Sequence, residues 1–392
     1  MSREEFIEQY YVERSGTNSV KWDGLKDRFS TTNLLPLWVA DMDFKVPKEI
    51  QEKMLERIEH GVFGYSLVSD TYYESFIQWQ KKRHNIEIKE EWIRFTTGVV
   101  NSFNYLIQAF TEEEESVLIL APVYYPFYDA VNNNNRHLVV SQLVNDKGSY
   151  SIDFNQFEAD IIKMDVKLFL HCSPQNPVGR VWSKEELEQL FSICEKHQVK
   201  VISDEIHQDF IQPGKEFVSA LSLKESYLDS VFVLSAPSKT FNIASLLHSH
   251  VLIPNEGLRN QYDIFAEKAV NNTISLMGTI ATEAAYTHGE TWLDELIQVI
   301  EYNYSVMKAM FEKELPHVLV SPKEATYLAW IDLSYYLKDQ NIVEVMEKKA
   351  GIAIDYGEWF DKDHQSFIRM NLATKTENVV TATRKIIEAL VN

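Results

Sequence analysis

Cysteine is nearly absent from this sequence, since the 392-residue chain contains only Cys172 and Cys194. His197 follows Cys194 by three residues, but no second pair of ligands accompanies them, which argues against a zinc site. Cys172 ends an apolar run and Cys194 lies in a helical pattern, so we expect two buried thiols. Such sparing use of cysteine fits a reducing compartment. We therefore expect a cytoplasmic protein without a bound metal.

Positive charge and long apolar runs are also scarce. The chain has 38 Lys and Arg against 58 Asp and Glu, a net charge of −20, and its isoelectric point is near 5.0. A protein this acidic has no electrostatic reason to bind nucleic acid or an anionic membrane. No run approaches the roughly eighteen apolar residues of a membrane helix. The first ten residues, MSREEFIEQY, lack the apolar core of a secretory signal. We expect neither nucleic acid nor a membrane as a partner.

What the chain does contain is an α/β pattern. Apolar residues make up 45% and charged residues 24%, as in ordinary globular proteins, and the length suggests about two domains. From about residue 90, short apolar stretches alternate with helical patterns, which predicts a largely parallel sheet covered on both faces. We expect a large domain over 48–288 and a smaller α/β domain formed by 1–47 and 289–392. Predicted strands lie at 93–96, 116–120, 138–140, 166–171, 199–203, 231–234, 250–253, 327–332 and 367–371, and predicted helices at 47–60, 101–110, 183–197 and most of 264–314.

Chemically useful side chains follow several of the predicted strands. Asp204 comes directly after 199–203, and Lys239 lies in the turn after 231–234. Asn176 follows 166–171, and Tyr124 follows 116–120. A helix begins after the TTGVV sequence at 96–100. Because open parallel sheets bind ligands beyond the carboxyl ends of their strands, we expect these groups to lie close together.

Each of these groups has a role in a pyridoxal 5′-phosphate (PLP) site. A lysine amine forms a Schiff base with the cofactor, and a carboxylate keeps its pyridine nitrogen protonated so that the ring accepts electrons. Backbone N–H groups at a helix start bind the phosphate, and an aromatic ring stacks on the pyridine. Taken singly, each residue has a commoner explanation, namely a surface lysine, a helix cap, a turn or a core tyrosine. Their joint occurrence predicts a PLP enzyme with Lys239 as the Schiff-base residue.

The motifs extend this prediction to a family. The sequence resembles fold-type-I PLP enzymes of the class I/II aminotransferase superfamily over nearly its whole length, and within it the MalY/PatB-type cystathionine β-lyases. SKTFN at 238–242 and NPVGR at 176–180 are the most specific motifs, while LWVADMDF at 37–44 and DEIH at 204–207 point to the lyase branch. Further matching pieces are KWD at 21–23, GY at 64–65, TTGVV at 96–100, PVY at 122–124, TYLAWID at 326–332 and FIRMN at 367–371. The resemblance implies the aspartate aminotransferase fold.

The resemblance also implies a role for each site residue. Lys239 would form the Schiff base and move protons, Asp204 would pair with the pyridinium nitrogen, and Arg369 would bind the substrate α-carboxylate as a bidentate fork. The N–H groups of Val99 and Val100 and the hydroxyl of Ser238 would hold the cofactor phosphate. Asn176 and His207 would approach the phenolic oxygen, and Tyr124 would stack on the ring. Tyr65 would reach the phosphate of the other subunit. This last role implies a homodimer with shared active sites.

The sequence departs from the family pattern at three places. Ser245 follows FNIA where the family usually has Gly, Leu247 stands where the wider superfamily keeps a phosphate-binding Arg, and Ala325 replaces a usual Gly. The implied activity is cleavage of L-cystathionine or related cysteine S-conjugates to thiol, pyruvate and ammonia. An aminotransferase is one alternative, and a PLP-fold protein that acts as a regulatory binding partner is another.

Overall fold

The computed structural model describes residues 1–269, 274–338 and 340–391. Its strands, numbered in chain order, are β1 Leu35–Pro36, β2 Ile93–Thr96, β3 Ser116–Ala121, β4 His137–Gln142, β5 Val144–Asp146, β6 Ser149–Ser151, β7 Val166–Cys172, β8 Lys200–Asp204, β9 Val231–Ser235, β10 Ser249–Leu252, β11 Leu319–Val320, β12 Leu328–Asp332, β13 Ile352–Ala353, β14 Asp355–Tyr356 and β15 Phe367–Asn371. Its α-helices are α1 Arg3–Tyr10, α2 Val20–Asp23, α3 Lys48–His60, α4 Asp70–His84, α5 Val99–Phe110, α6 Pro126–Asn133, α7 Phe154–Met164, α8 Lys184–Lys196, α9 Pro237–Thr240, α10 Glu256–Lys268, α11 Leu276–His288, α12 Glu290–Glu314, α13 Ser334–Leu337 and α14 Thr376–Val391.

Seven strands form the main sheet, in the order β2-β10-β9-β8-β7-β3-β4. Strand β10 runs antiparallel to β2 and β9, and the other neighbours pair in parallel. Residues of β7 alternate between two apolar clusters, with Phe169 in one and Leu168 and Leu170 in the other. Burial on both faces explains why these strands are continuous apolar runs. The prediction of a largely parallel, doubly covered sheet is confirmed, and its predicted strands end within two residues of the observed ones.

The helices follow local sequence signals. Helix α8 begins with a capping box, in which Glu186 N donates to Ser183 Oγ at 3.2 Å and Ser183 N donates to the Glu186 carboxylate at 2.8 Å. The predicted helical stretch 264–314 contains the end of α10, then α11 and α12, while its residues 270–273 lie outside the described residues. Helix α1 is not predicted by the sequence pattern. Phe6 is its one buried residue, so it carries almost no apolar periodicity.

A smaller antiparallel sheet, β11-β12-β15-β14, lies in the C-terminal region. The N-terminal segment joins this region, because β1 pairs in parallel with β13. Asn371, the last residue of β15, also donates from Nδ2 to the Val39 and Asp41 carbonyl oxygens, each at 2.6 Å. These contacts support the expected grouping of 1–47 with 289–392, and the domain boundaries themselves remain predictions.

Both cysteines are buried free thiols, as their sequence context predicts. In the described part of the chain, no helix is long and apolar enough to span a membrane. Within the same residues, no cluster of three or more His, Cys, Asp or Glu side chains is arranged to hold a metal ion.

Candidate active site

A cavity of about 250 Å³ lies at the carboxyl ends of β7, β8 and β9, beside the start of α5. Residues that follow neighbouring parallel strands share this edge of the sheet, which is why separate motifs meet here. Tyr65 and Arg369 are the predicted site residues that do not line it. The cavity walls include the remaining predicted residues, Val99, Val100, Tyr124, Asn176, Asp204, His207, Ser238 and Lys239.

Lys239 lies in the short helix α9, immediately after β9, and its amine is held at a fixed position. Its Nζ donates to the Ala40 carbonyl oxygen at 2.8 Å. Burial, together with the charge of Arg369, lowers the pKa of the amine to about 8, against the opposing effects of Asp41 and Asp204. A lysine tuned in this way is neutral in an appreciable fraction of molecules near pH 7.5, as a nucleophile or a base must be.

Asp204 ends β8 and is buried, with 5% of its surface exposed. Its Oδ1 accepts a hydrogen bond from Ile206 N at 3.1 Å. Burial raises the pKa of the carboxyl to about 7, and the Ile206 N–H and the Lys239 charge offset this only in part. A buried carboxyl of this kind is suited to a cationic N–H donor, such as a protonated pyridine nitrogen.

Asn176, His207 and Tyr124 supply polar and aromatic groups to the same cavity. Asn176 Oδ1 accepts from Arg369 Nη1 at 2.9 Å, so the Asn176 amide N–H groups stay available as donors. Burial, with the charges of Lys239 and Arg369, lowers the pKa of His207 to about 3, and its ring is therefore neutral. His207 Nδ1 is buried and has no hydrogen-bond partner among the described residues. Tyr124 is half-buried and presents an aromatic ring to the cavity.

A further set of hydrogen-bond donors comes from the start of α5. The N–H groups of Val99 and Val100 lie in the first turn of this helix, where backbone donors have no partner within the helix. The Ser238 hydroxyl lines the same cavity. Such a helix start binds phosphate. Among the residues that line the cavity, Lys239 is the only cation.

Neither Leu247 nor its neighbour His248 replaces the phosphate-binding arginine that the wider superfamily keeps. Leu247 is 53% exposed and does not line the cavity. His248 is buried, and its Nε2 is 2.5 Å from the Tyr72 hydroxyl, so it faces the core. A phosphate in this cavity would therefore depend on backbone N–H groups and hydroxyls of this chain.

Arg369 and Tyr65 stand apart from the cavity in different ways. Arg369 is buried in β15 directly behind Asn176, and its Nη2 contacts the Asp355 carboxylate. Tyr65 lies between α3 and α4 with its side chain fully exposed. One chain therefore does not bring Tyr65 to its own cavity, and its expected role in the other subunit remains a prediction.

Two further parts of the site escape sequence reasoning about side chains. The Ala40 carbonyl oxygen accepts from Lys239 and also from the Tyr327 hydroxyl, which donates at 2.8 Å. The LWVADMDF and TYLAWID motifs contain these residues, but a backbone carbonyl carries no signal of its own. Asp355 lies in a two-residue strand outside every motif.

Comparisons with known proteins agree with this geometry. The family described as aminotransferase class I and II matches residues 32–387. The chain belongs to this family. It is 38% identical to cystathionine beta-lyase PatB of Bacillus subtilis (strain 168), over 96% of this chain and 98% of that protein. It is 31% identical to protein MalY of Escherichia coli (strain K12), over 97% of each.

Solved structures include close matches to this fold. The PLP-bound C-S lyase from Staphylococcus hominis superposes with a TM-score of 0.92 at 34% identity, covering 97% of each chain. Cystalysin from Treponema denticola, a structure that contains PLP, gives the same TM-score and identity over 97% of each chain. The expected family and the expected PLP-dependent α/β fold are confirmed.

Proposed function

We propose that this protein is a PLP-dependent carbon–sulfur β-lyase that cleaves L-cystathionine or related cysteine S-conjugates to a thiol, pyruvate and ammonia. The observation that carries the proposal is one cavity that holds the tuned Lys239 amine and the buried Asp204 carboxyl. The full-length similarity to PatB, MalY and PLP-bound C-S lyases supports the reaction class.

The chemistry of the cavity fits PLP. Asp204 is a buried carboxyl suited to a cation, and the buried His207 Nδ1 has no hydrogen-bond partner among the described residues. When bound, PLP supplies an electron sink for the charge left at Cα. Lys239 would hold the cofactor covalently, Asp204 its ring nitrogen, Tyr124 its ring face, Asn176 and His207 its phenolic oxygen, and Val99, Val100 and Ser238 its phosphate.

The protein side chains would orient the substrate and move its proton. Arg369 would bind the α-carboxylate and thereby fix the direction of the Cα–H bond. Lys239 Nζ would then remove the Cα proton, and the bond between Cβ and sulfur would break with loss of thiolate. Ala40 O, itself held by the Tyr327 hydroxyl, limits the positions open to Nζ. The same residues would serve an aminotransferase, so the choice between the two reactions depends on the pocket around the leaving group.

We extend the proposal to a cytoplasmic homodimer. The exposed Tyr65 side chain, flanked by the exposed Phe63 and Leu67, supports a subunit interface that would bring Tyr65 to the partner's phosphate. The two buried free thiols support a reducing compartment.

Product analysis tests the reaction type. The holoenzyme is incubated with saturating L-cystathionine, and pyruvate, ammonia and thiol are measured with and without an added 2-oxoacid. We expect continuous release of all three products without the 2-oxoacid. Turnover that stops after one equivalent and resumes only when a 2-oxoacid is supplied would identify an aminotransferase instead. The Lys239→Ala protein is the control and should release no pyruvate.

A further inference from the structure

Asp355 and Arg369 form a buried ion pair behind the active-site cavity. They are directly opposite each other in the register of β14 and β15. Their side chains are 4% and 3% exposed, and Asp355 Oδ2 contacts Arg369 Nη2. The Arg369 guanidinium, which would bind the substrate carboxylate, is thus already paired with a carboxylate of the protein.

The other N–H donors of the Arg369 guanidinium differ in whether they have a hydrogen-bond partner. Nη1 donates to Asn176 Oδ1 at 2.9 Å, and Nη2 also lies 3.5 Å from the Trp38 carbonyl oxygen. Nε is buried and has no hydrogen-bond partner among the described residues. The Phe360 ring lies 4.6 Å from Cζ. The Arg369 guanidinium therefore keeps one buried donor, Nε, without a partner among the described residues, while Asp355 balances its charge.

The surroundings of Asp355 make its charge sensitive to a second anion. Burial raises the pKa of Asp355 to about 6, against the opposing effects of Arg369 and Arg28. The nearby Tyr124 is neutral, since burial raises its pKa well above the ordinary value. When two carboxylates share one site, the pKa of one of them rises strongly. A substrate carboxylate on Arg369 would be that second carboxylate.

We propose that Asp355 is a positioning residue that shares the Arg369 guanidinium with the substrate, so that binding of the substrate carboxylate at neutral pH takes up a proton. The proton comes from solvent and is held on an Asp355 oxygen, which leaves the guanidinium charge for the substrate. The inference rests on the proposed function insofar as Arg369 is the substrate-binding arginine. It predicts that carboxylate binding weakens as the pH rises from 6 to 8, because binding then requires uptake of a scarcer proton.

Isothermal titration calorimetry counts this proton without any turnover. The probe is 3-(methylthio)propionate, which has the carboxylate and the sulfur but no amine to react. It is titrated into the holoenzyme at pH 7.5 in phosphate and in Tris, whose ionisation enthalpies differ. If the ligand raises the pKa of Asp355 by about two units, wild type should take up about 0.7 proton more than the Asp355→Asn variant. The affinity of the variant should change little between pH 6 and pH 8.

Two controls separate this role from a structural one. Asp332→Asn removes a carboxylate from the neighbouring strand β12, where it accepts from Ser334 N at 2.8 Å, and should keep the wild-type proton count. Wild type at pH 5.0 needs no variant, and there the uptake should nearly vanish because Asp355 is already protonated. Equal proton counts in wild type and Asp355→Asn, or no uptake by wild type at pH 7.5, would overturn the inference. The cystathionine assay tests the lyase proposal separately, so the two can fail independently.

Discussion

The Asp43→Asn variant tests how the N-terminal segment is held over the active site. Asp43 and Lys21 are both fully buried, with Lys21 Nζ 2.9 Å from Asp43 Oδ2. Trp22 Nε1 donates to Asp43 Oδ1 at 2.9 Å, and Arg14 Nη1 lies 3.3 Å from the same oxygen. The substitution keeps the shape of the side chain and removes the charge that balances the buried lysine.

The expected loss of stability follows from the charge left on Lys21. Removing one partner of a buried ion pair typically costs about 3–5 kcal/mol. Asp43→Asn leaves the buried Lys21 amine without its opposite charge, so we expect it to lower the free energy of unfolding by about 3–5 kcal/mol.

Urea unfolding followed by circular dichroism measures this loss of stability. Asp165→Asn, which removes a highly exposed surface partner of Lys167, is the matched control and should cost under about 1 kcal/mol.

A second variant makes the interpretation specific. Adding Lys21→Met to Asp43→Asn removes the stranded amine, and we expect it to restore about 2 kcal/mol of the loss. A deficit below about 1 kcal/mol for Asp43→Asn would refute the view that this pair holds the segment.

Three other outcomes follow from the site. Asp204→Asn should keep the wild-type circular dichroism spectrum and lose at least about two orders of magnitude in the rate of pyruvate release. This is the scale of the effect when one positioned electrostatic group is removed. A mild effect would mean that Asp204 has only a capping role. Borohydride should fix the cofactor to the peptide containing Lys239, and Lys239→Ala protein that turns over substrate at the normal rate would rule out its role as base. Light scattering should show a dimer, and Tyr65→Ala should weaken PLP retention in equilibrium dialysis, whereas a fully active monomer would contradict the shared site.

The sequence was informative where parallel strands bring their ends to one edge. Asp204 and Lys239 could be placed together because each follows a buried strand of the same sheet. The Ala40 carbonyl could not be found in this way, since any residue supplies a backbone oxygen. Asp355 was missed because β14 has two residues and no readable alternation. Arg369 could be assigned from the resemblance alone, since a strand arginine is otherwise an ordinary surface charge.

The hydrogen bonds from Asn371 to the carbonyl oxygens of Val39 and Asp41 have a consequence for the synthesis of the protein. These oxygens flank Ala40, whose carbonyl positions the Lys239 amine. Residues 35–44 are synthesised before their anchors in β13 and β15. The side of the cavity at Ala40 can therefore be fixed only after β15 has been made, and a chain cut short before residue 371 would have Lys239 without the Asn371 hydrogen bonds that hold this segment.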